Sequence, residues 1–463
     1  AVRLKPQQAS AAPVAMEASS SGTATPAAHG IAATSVHEVL RRHQLVDGYD
    51  VVLDLERSHG AWLYDARTES EFLDCFTCFA SWPVGYNHPM LQTPEFLAKV
   101  RAVATANPAN SDLYTREMAG FVEAFATRAT PSGFPYHFWV AGGALAVENA
   151  LKTAFDWKAR KLGRTDFGAD VNDLVILHLR DAFHGRSGYT LSLTNTVPAK
   201  IGLFPKFNWP RVHNPTIEFG PDGEVANDIA AEEARACAEI EAAFAQHGDR
   251  IAAILLEPLQ GEGGDNHFRP EFFRALRDYA DSREALLIYD EVQTGFWGSG
   301  KPWLWQHHDV APDIVAFGKK TQVCGIYCSE RIDEVADNVF QMSGRINSTF
   351  GGNLTDMVRC HRFLDIIEAE GLGENAAVRG AELLAGLRAL ARETGSFSNV
   401  RGVGSLIAFT LPAAAERDAL MASLVAQKVM ALKSGSSSIR FRLPLVIAAD
   451  EIVELLSRVR AAL

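Results

Sequence analysis

No run of about 18 uninterrupted apolar residues occurs in the chain, so no membrane-spanning helix is expected. Cysteine is scarce: six residues in 463 are too few for a disulfide framework. A basic excess is also missing, with 44 Lys and Arg against 56 Asp and Glu and a formal charge of −12. That balance argues against a nucleic-acid backbone or an anionic membrane as main partner. It leaves room for small anionic substrates, because a few arginines in a closed pocket outweigh a negative surface. The first 30 residues lack the apolar centre of a signal peptide and are rich in Ala, Ser, Thr and Pro. A disordered tail over residues 1–35 is the reading.

Four of the cysteines fall in close pairs. Cys75 and Cys78 form a C-x-x-C, and Cys324 and Cys328 lie four apart, a set with the ligand chemistry of a zinc site. Each pair falls in an apolar, strand-like run, where cysteine acts as a small hydrophobe. Buried thiols, no metal and a reducing, cytoplasmic home are therefore expected.

What is present is an ordinary soluble composition, 47% apolar and 22% charged, in a chain long enough to bury a large core. Tyr136–Val140, Leu174–Leu179, Ile251–Leu256, Ala285–Tyr289 and Ile314–Phe317 read as buried strands. Helical patterns separate them. Over Ala144–Lys158 an apolar stripe is closed by the lysine stem, and Glu224–His247 is Ala- and Glu-rich. Continuous apolar strands alternating with helices point to an α/β fold with a mostly parallel sheet covered on both faces. Later the pattern changes. Helices near Thr355–Glu370 and Glu374–Thr394, strands over Ser405–Pro412 and Ile439–Leu443, and a closing helix from Ala449 suit a smaller α+β domain. The division expected is 36–90 with 346–463 for the small domain and 91–345 for the large one.

Ligands of open α/β sheets gather at the carboxyl ends of the strands, so the residues following each strand carry the chemistry. Ala141-Gly142-Gly143-Ala144 opens a helix, where small residues let a phosphate approach the backbone amides; a plain strand-to-helix turn reads the same way. Arg180 to Gly188 brings Phe183, His184 and Arg186 into one loop: a ring to stack on a flat cofactor and a guanidinium to grip a carboxylate. Glu257 to Gly264 contains Glu262. An acid, Asp290, closes one strand, and 29 residues later Lys319 and Lys320 follow the next. That pair is what pyridoxal phosphate needs: an acid to keep the pyridine nitrogen protonated and an amine to form a Schiff base. A structural Asp–Lys ion pair is the competing reading. Spacing does not choose between the two lysines, which point in opposite directions on extended backbone.

The run D-E-V-Q-T-G at Asp290–Gly295, followed by P-D-I-V-A-F-G-K at Pro312–Lys319, resembles the class III aminotransferases of the ornithine and GABA type. The stretches GGALAVENALKTAFDWK from Gly142, AFHGRSGYTLSLTNT from Ala182, GEGGDNHFRPEFF from Gly261, VAPDIVAFGKKTQVCG from Val310 and FGGNLTDMVR from Phe350 exceed what the general family shares. They are similar to its lysine ε-amine-transferring branch.

The resemblance implies a fold-type I pyridoxal-phosphate transferase, its large domain built on a seven-stranded sheet. It selects Lys319 as the cofactor lysine and Asp290 as partner of the ring nitrogen. It puts Gly143 and Ala144 on the phosphate, Phe183 on the ring, and Gln293 near the ring oxygen and substrate. Thr349 would reach the phosphate of a partner subunit, implying a homodimer with shared sites. Arg186 would hold the α-carboxylate of L-lysine, and Arg442 that of 2-oxoglutarate, with Glu262 masking Arg442 when lysine binds. The expected reaction is a ping-pong transfer of the ε-amine to 2-oxoglutarate, giving the 6-semialdehyde and glutamate. Another ω-amino donor, such as ornithine or GABA, or an aminomutase reaction, is the alternative. The aromatic cluster Phe296, Trp297, Trp303 and Trp305 and the bulk of Phe79 depart from the family pattern and bear on the substrate pocket.

Overall fold

The computed structural model describes residues 30–463, so most of the tail reading lies outside the described residues. Seven strands form the large sheet: β1 (Tyr136–Val140), β2 (Val175–Leu179), β3 (Arg211–Val212), β4 (Ile251–Leu256), β5 (Leu286–Asp290), β6 (Ile314–Phe317) and β7 (Cys324–Cys328). Their spatial order is β1-β7-β6-β5-β4-β2-β3. Neighbours from β3 to β6 run parallel, and only β7 is antiparallel to both its neighbours. Every residue of β2, β4, β5, β6 and β7 is buried, as the unbroken apolar runs require. The mostly parallel α/β architecture is the one expected. The two-residue β3 carries no pattern long enough to read.

Helix Gly143–Lys161 buries Val147, Leu151, Ala154 and Trp157. The stem of Lys158 closes the stripe, and its Nζ donates to the Glu284 carbonyl at 2.7 Å. The Ala-rich helix begins at Ile229 rather than Glu224, because the Asp228 carboxylate caps it by accepting from Ala231 N at 3.1 Å. The aromatic cluster mostly builds the large core: Phe296 and Trp303 are fully buried, and the Trp303 indole donates to the Ala129 carbonyl at 2.6 Å.

A second core joins Ala61, Leu73 and Cys75 to residues between Leu383 and Val459. Its four-stranded antiparallel sheet is built from Ser398–Val403, Leu406–Thr410, Ser438–Arg442 and Leu432–Ser434. Helix Leu354–Ala369 buries Met357, Cys360 and Leu364 in the large core instead, beyond the expected boundary at 346.

Residues 30–52 with Ala66–Thr68 make a small unit of their own. It holds a 3-10 turn at Ala33–Ser35, inside the expected tail, and the short helix Val36–Arg41. Among the described residues no helix is long and apolar enough to cross a membrane.

All six cysteines are free, and four are buried. Cys324 and Cys328 lie in β7 as expected, but neither Cys75, just past the strand Ser70–Asp74, nor Cys78 sits in a strand. Thr77, Cys78, Phe79 and Ala80 all have φ between +43° and +67°, a left-handed turn that L-residues enter at about 1–2 kcal/mol each. Tertiary bonds hold it. The Asp74 carboxylate accepts from Phe76 N, Thr77 N and the Tyr86 hydroxyl, and the Thr77 hydroxyl donates to the Arg442 carbonyl at 2.9 Å.

Candidate active site

The carboxyl ends of β1, β2, β4, β5 and β6 surround a cavity of about 290 Å³, at the small end of ligand pockets. Two glycines let its walls close. A Cβ on Gly143 would stand 2.6 Å from Val292 Cγ1, and one on Gly185, at φ +119°, would stand 2.6 Å from the Ala144 Cβ. Helix Gly143–Lys161 starts without a side-chain cap, leaving its first amides free for an anion.

Asp290 ends β5 and is buried. One carboxylate oxygen accepts from Val292 N at 3.0 Å, and the other meets His184 Nδ1 at 2.8 Å. With the proton on Nδ1 the imidazole is a fixed donor to the acid. His184 Nε2 is buried without a hydrogen-bond partner.

The adjacent lysines part company. Lys320 turns away, its Nζ donating to the Gln293 and Gly295 carbonyls at 2.7 and 3.2 Å. Lys319 lines the cavity with Asp290, Phe183 and Gln293. Its backbone is left-handed, φ +52°, a conformation that tertiary context must impose. Dense surrounding protein holds its amine below the ordinary lysine range, against the opposing pull of Asp290.

Glu257, which sequence reading did not single out, accepts from Phe183 N at 2.9 Å and Gly261 N at 3.2 Å. Burial pushes its carboxyl up to about 7, the Asp290 charge adding and His184 opposing. A carboxyl raised in the fold stabilises it fully below its unfolded value and loses that contribution as pH rises through the folded one. Glu257→Gln is therefore expected to gain stability relative to the parent protein as pH rises from 4 to 8, against a pH-independent loss from the acceptor that its amide nitrogen replaces, as read by calorimetry across pH.

The arginines are arranged differently from expectation. Arg440 and Arg442 share one face of Ser438–Arg442. Arg442 is committed: its two terminal nitrogens meet the Asp265 carboxylate at 2.8 and 2.5 Å and its Nε meets Gln293 Oε1 at 2.9 Å. Arg440 also donates to Gln293 Oε1, at 3.0 Å, while its Nε is buried with no partner. Nor does Glu262 lie on Arg442. Its carboxylate accepts from Lys200 Nζ at 2.6 Å and the Thr196 hydroxyl at 2.8 Å. Arg186 and Thr349 are exposed and do not line the cavity. Arg440 and Lys200 carried no signal in the sequence; both are polar neighbours whose partners come from distant segments.

These residues fit pyridoxal phosphate. The uncapped helix start suits its phosphate, Phe183 its flat ring, Asp290 its ring nitrogen and Lys319 its carbonyl carbon.

Comparison with known proteins agrees. The family described as aminotransferase class-III matches residues 46–463. The L-lysine-epsilon aminotransferase of Mycobacterium tuberculosis is 52% identical over 431 residues, covering 92% of this chain and 95% of the relative. That of Streptomyces clavuligerus is 46% identical over 423 residues, covering 91% and 92%. The solved lysine aminotransferase from M. tuberculosis, in the internal aldimine form, superposes with a TM-score of 0.89 at 51% identity, covering 93% of this chain and 98% of that one. An ornithine aminotransferase from Toxoplasma gondii, 22% identical, shares the fold with a TM-score of 0.75. The chain belongs to the class III aminotransferases, pyridoxal-phosphate-dependent enzymes of fold type I.

Proposed function

We propose that the protein transfers the ε-amino group of L-lysine to 2-oxoglutarate. The observation that carries this reading is the identity of 46–52% over more than nine-tenths of the chain with relatives named as lysine ε-aminotransferases. Pyridoxal phosphate, when bound, supplies the electron sink that makes a proton on the substrate's amine-bearing carbon removable. Lys319 holds the cofactor between turnovers. The same amine, when free, would carry the proton removed from the substrate carbon, a task that its lowered proton affinity suits. Asp290, oriented by His184, keeps a proton on the ring nitrogen. Gly143 and Ala144 would present amides to the phosphate, Phe183 would pack on the ring, and Gln293 would serve the ring oxygen and the substrate.

Two carboxylate sites complete the reading. Arg186 takes the α-carboxylate of lysine, which places the distant amine at the reacting carbon. For the keto acid we assign Arg440 in place of Arg442, because Arg440 carries the unpartnered donor and Arg442 is already neutralised by Asp265. Glu262 is the acid that covers Arg440 when lysine occupies the site.

The unit of function is a homodimer with shared sites, Thr349 serving the partner's phosphate. Exposed Phe350 beside it and exposed Leu113 and Tyr114 in a neighbouring loop support this. That loop is tied to the 349–350 segment through Ser111 Oγ to Thr349 O and Asn110 N to Phe350 O. Free thiols suit a reducing, cytoplasmic setting.

The visible spectrum of the holoenzyme provides the test. L-lysine alone should bleach the cofactor band, and 2-oxoglutarate should restore it. A band that ignores lysine but answers ornithine or GABA would replace the donor; restoration without any keto acid would indicate an aminomutase.

A further inference from the structure

Glu262 stands between two cations. On one side is Arg440, whose Nη1 would lie 3.0 Å from a Cβ added to the adjoining Gly261. On the other is Lys200, on the turn Pro198–Ile201. In this structure the carboxylate has gone to Lys200 and Thr196, leaving Arg440 with Gln293 Oε1 and, at 3.9 Å, the Asp265 carboxylate. The Lys200 ammonium also lies 5.7 Å from the centroid of the Phe183 ring, so it bridges the aromatic wall of the cavity and the acid at its edge.

We propose that Lys200 is a specificity-determining residue: it is the anchor that holds Glu262 off Arg440 and keeps the keto-acid subsite open. The inference rests on the reading of Glu262 as the acid that covers Arg440. Such an acid needs a second resting place. An unpaired carboxylate near a buried arginine would fall back onto it, because the arginine's unsatisfied donor is costly to leave alone. Lys200 and Thr196 supply that place with two hydrogen bonds. The Lys200 side chain keeps 37% of its surface exposed and that of Glu262 19%, so the pair is weak enough to open when a donor substrate calls the acid back. Removing the ammonium biases Glu262 towards Arg440 and closes the dicarboxylate subsite without touching any residue bonded to Arg440.

The test uses glutarate, a dicarboxylate with neither amine nor keto group, titrated calorimetrically into the holoenzyme, beside half-reaction kinetics with L-lysine and 2-oxoglutarate. Lys200→Met is expected to weaken glutarate binding about two- to fivefold, the scale of one partly exposed ion pair. The ratio of the 2-oxoglutarate KM to the lysine KM should rise by a similar factor. In a Glu262→Ala background the same substitution should change neither quantity, the coupling expected of two groups acting through each other. An effect of Glu262→Ala on the ratio with none of Lys200→Met would overturn the anchor while sparing the role of Glu262. No effect of Glu262→Ala at all would overturn both. An equal loss in both half-reactions that persists in the Glu262→Ala background would assign Lys200 to the Phe183 wall instead.

Discussion

Lys319→Ala is expected to reduce transamination by more than roughly 10⁴-fold, since one amine serves both as the covalent anchor and as the proton carrier. The neighbouring lysine provides the control. The Lys320 amine is spent on the Gln293 and Gly295 carbonyls, and burial lowers its proton affinity to about 7. Lys320→Met should retain the chemistry and instead melt lower, two buried carbonyls having lost a donor at about 1–3 kcal/mol. Borohydride treatment of the holoenzyme followed by peptide mapping separates the two directly. The reduced cofactor should be found on Lys319. A label on Lys320, or a Lys319→Ala protein that still turns over within tenfold of the parent, would remove Lys319 from the centre of the mechanism.

That pairing of Asp290 with a lysine was legible because both follow unbroken apolar strands, and strand ends in a parallel sheet converge on one edge. Spacing alone could not choose between Lys319 and Lys320; the motif resemblance chose Lys319, and the left-handed backbone that separates the two side chains is announced by no residue type at that position. The same limit explains the arginines. Arg440 and Arg442 lie two apart on one face, so alternation places both equally. What distinguishes them is Asp265, 177 residues from Arg442 in sequence. The turn Thr77–Ala80 was unreadable for a related reason. Its sequence, T-C-F-A, has no glycine, and only Asp74, Tyr86 and the Arg442 carbonyl hold it left-handed. Local pattern reports the elements and the edge on which they gather; long-range pairing decides which of two like residues faces the substrate.

Asp265 is the position where loss of one charge should cost the fold most. Its carboxylate and the Arg442 guanidinium are each 1% exposed, and Asp265 holds a left-handed φ of +51° that asparagine also tolerates. Asp265→Asn therefore keeps the loop while removing the charge and one of the two acceptors that Arg442 uses. An uncompensated buried arginine remains, a defect of about 3–5 kcal/mol. The consequence reaches the site, because Arg442 and Arg440 share Gln293 Oε1. Freed from Asp265, Arg442 becomes a second cation competing for that oxygen and for any incoming carboxylate. The expected result is a melting transition several degrees lower, together with a disturbed KM for the keto acid. Arg442→Met in the Asp265→Asn background should recover part of the stability, since it removes the orphaned charge while filling the space. If Asp265→Asn melted with the parent protein, the Asp265–Arg442 pair could not be what holds Arg442 away from substrate, and the assignment of the keto-acid carboxylate to Arg440 would lose its main support.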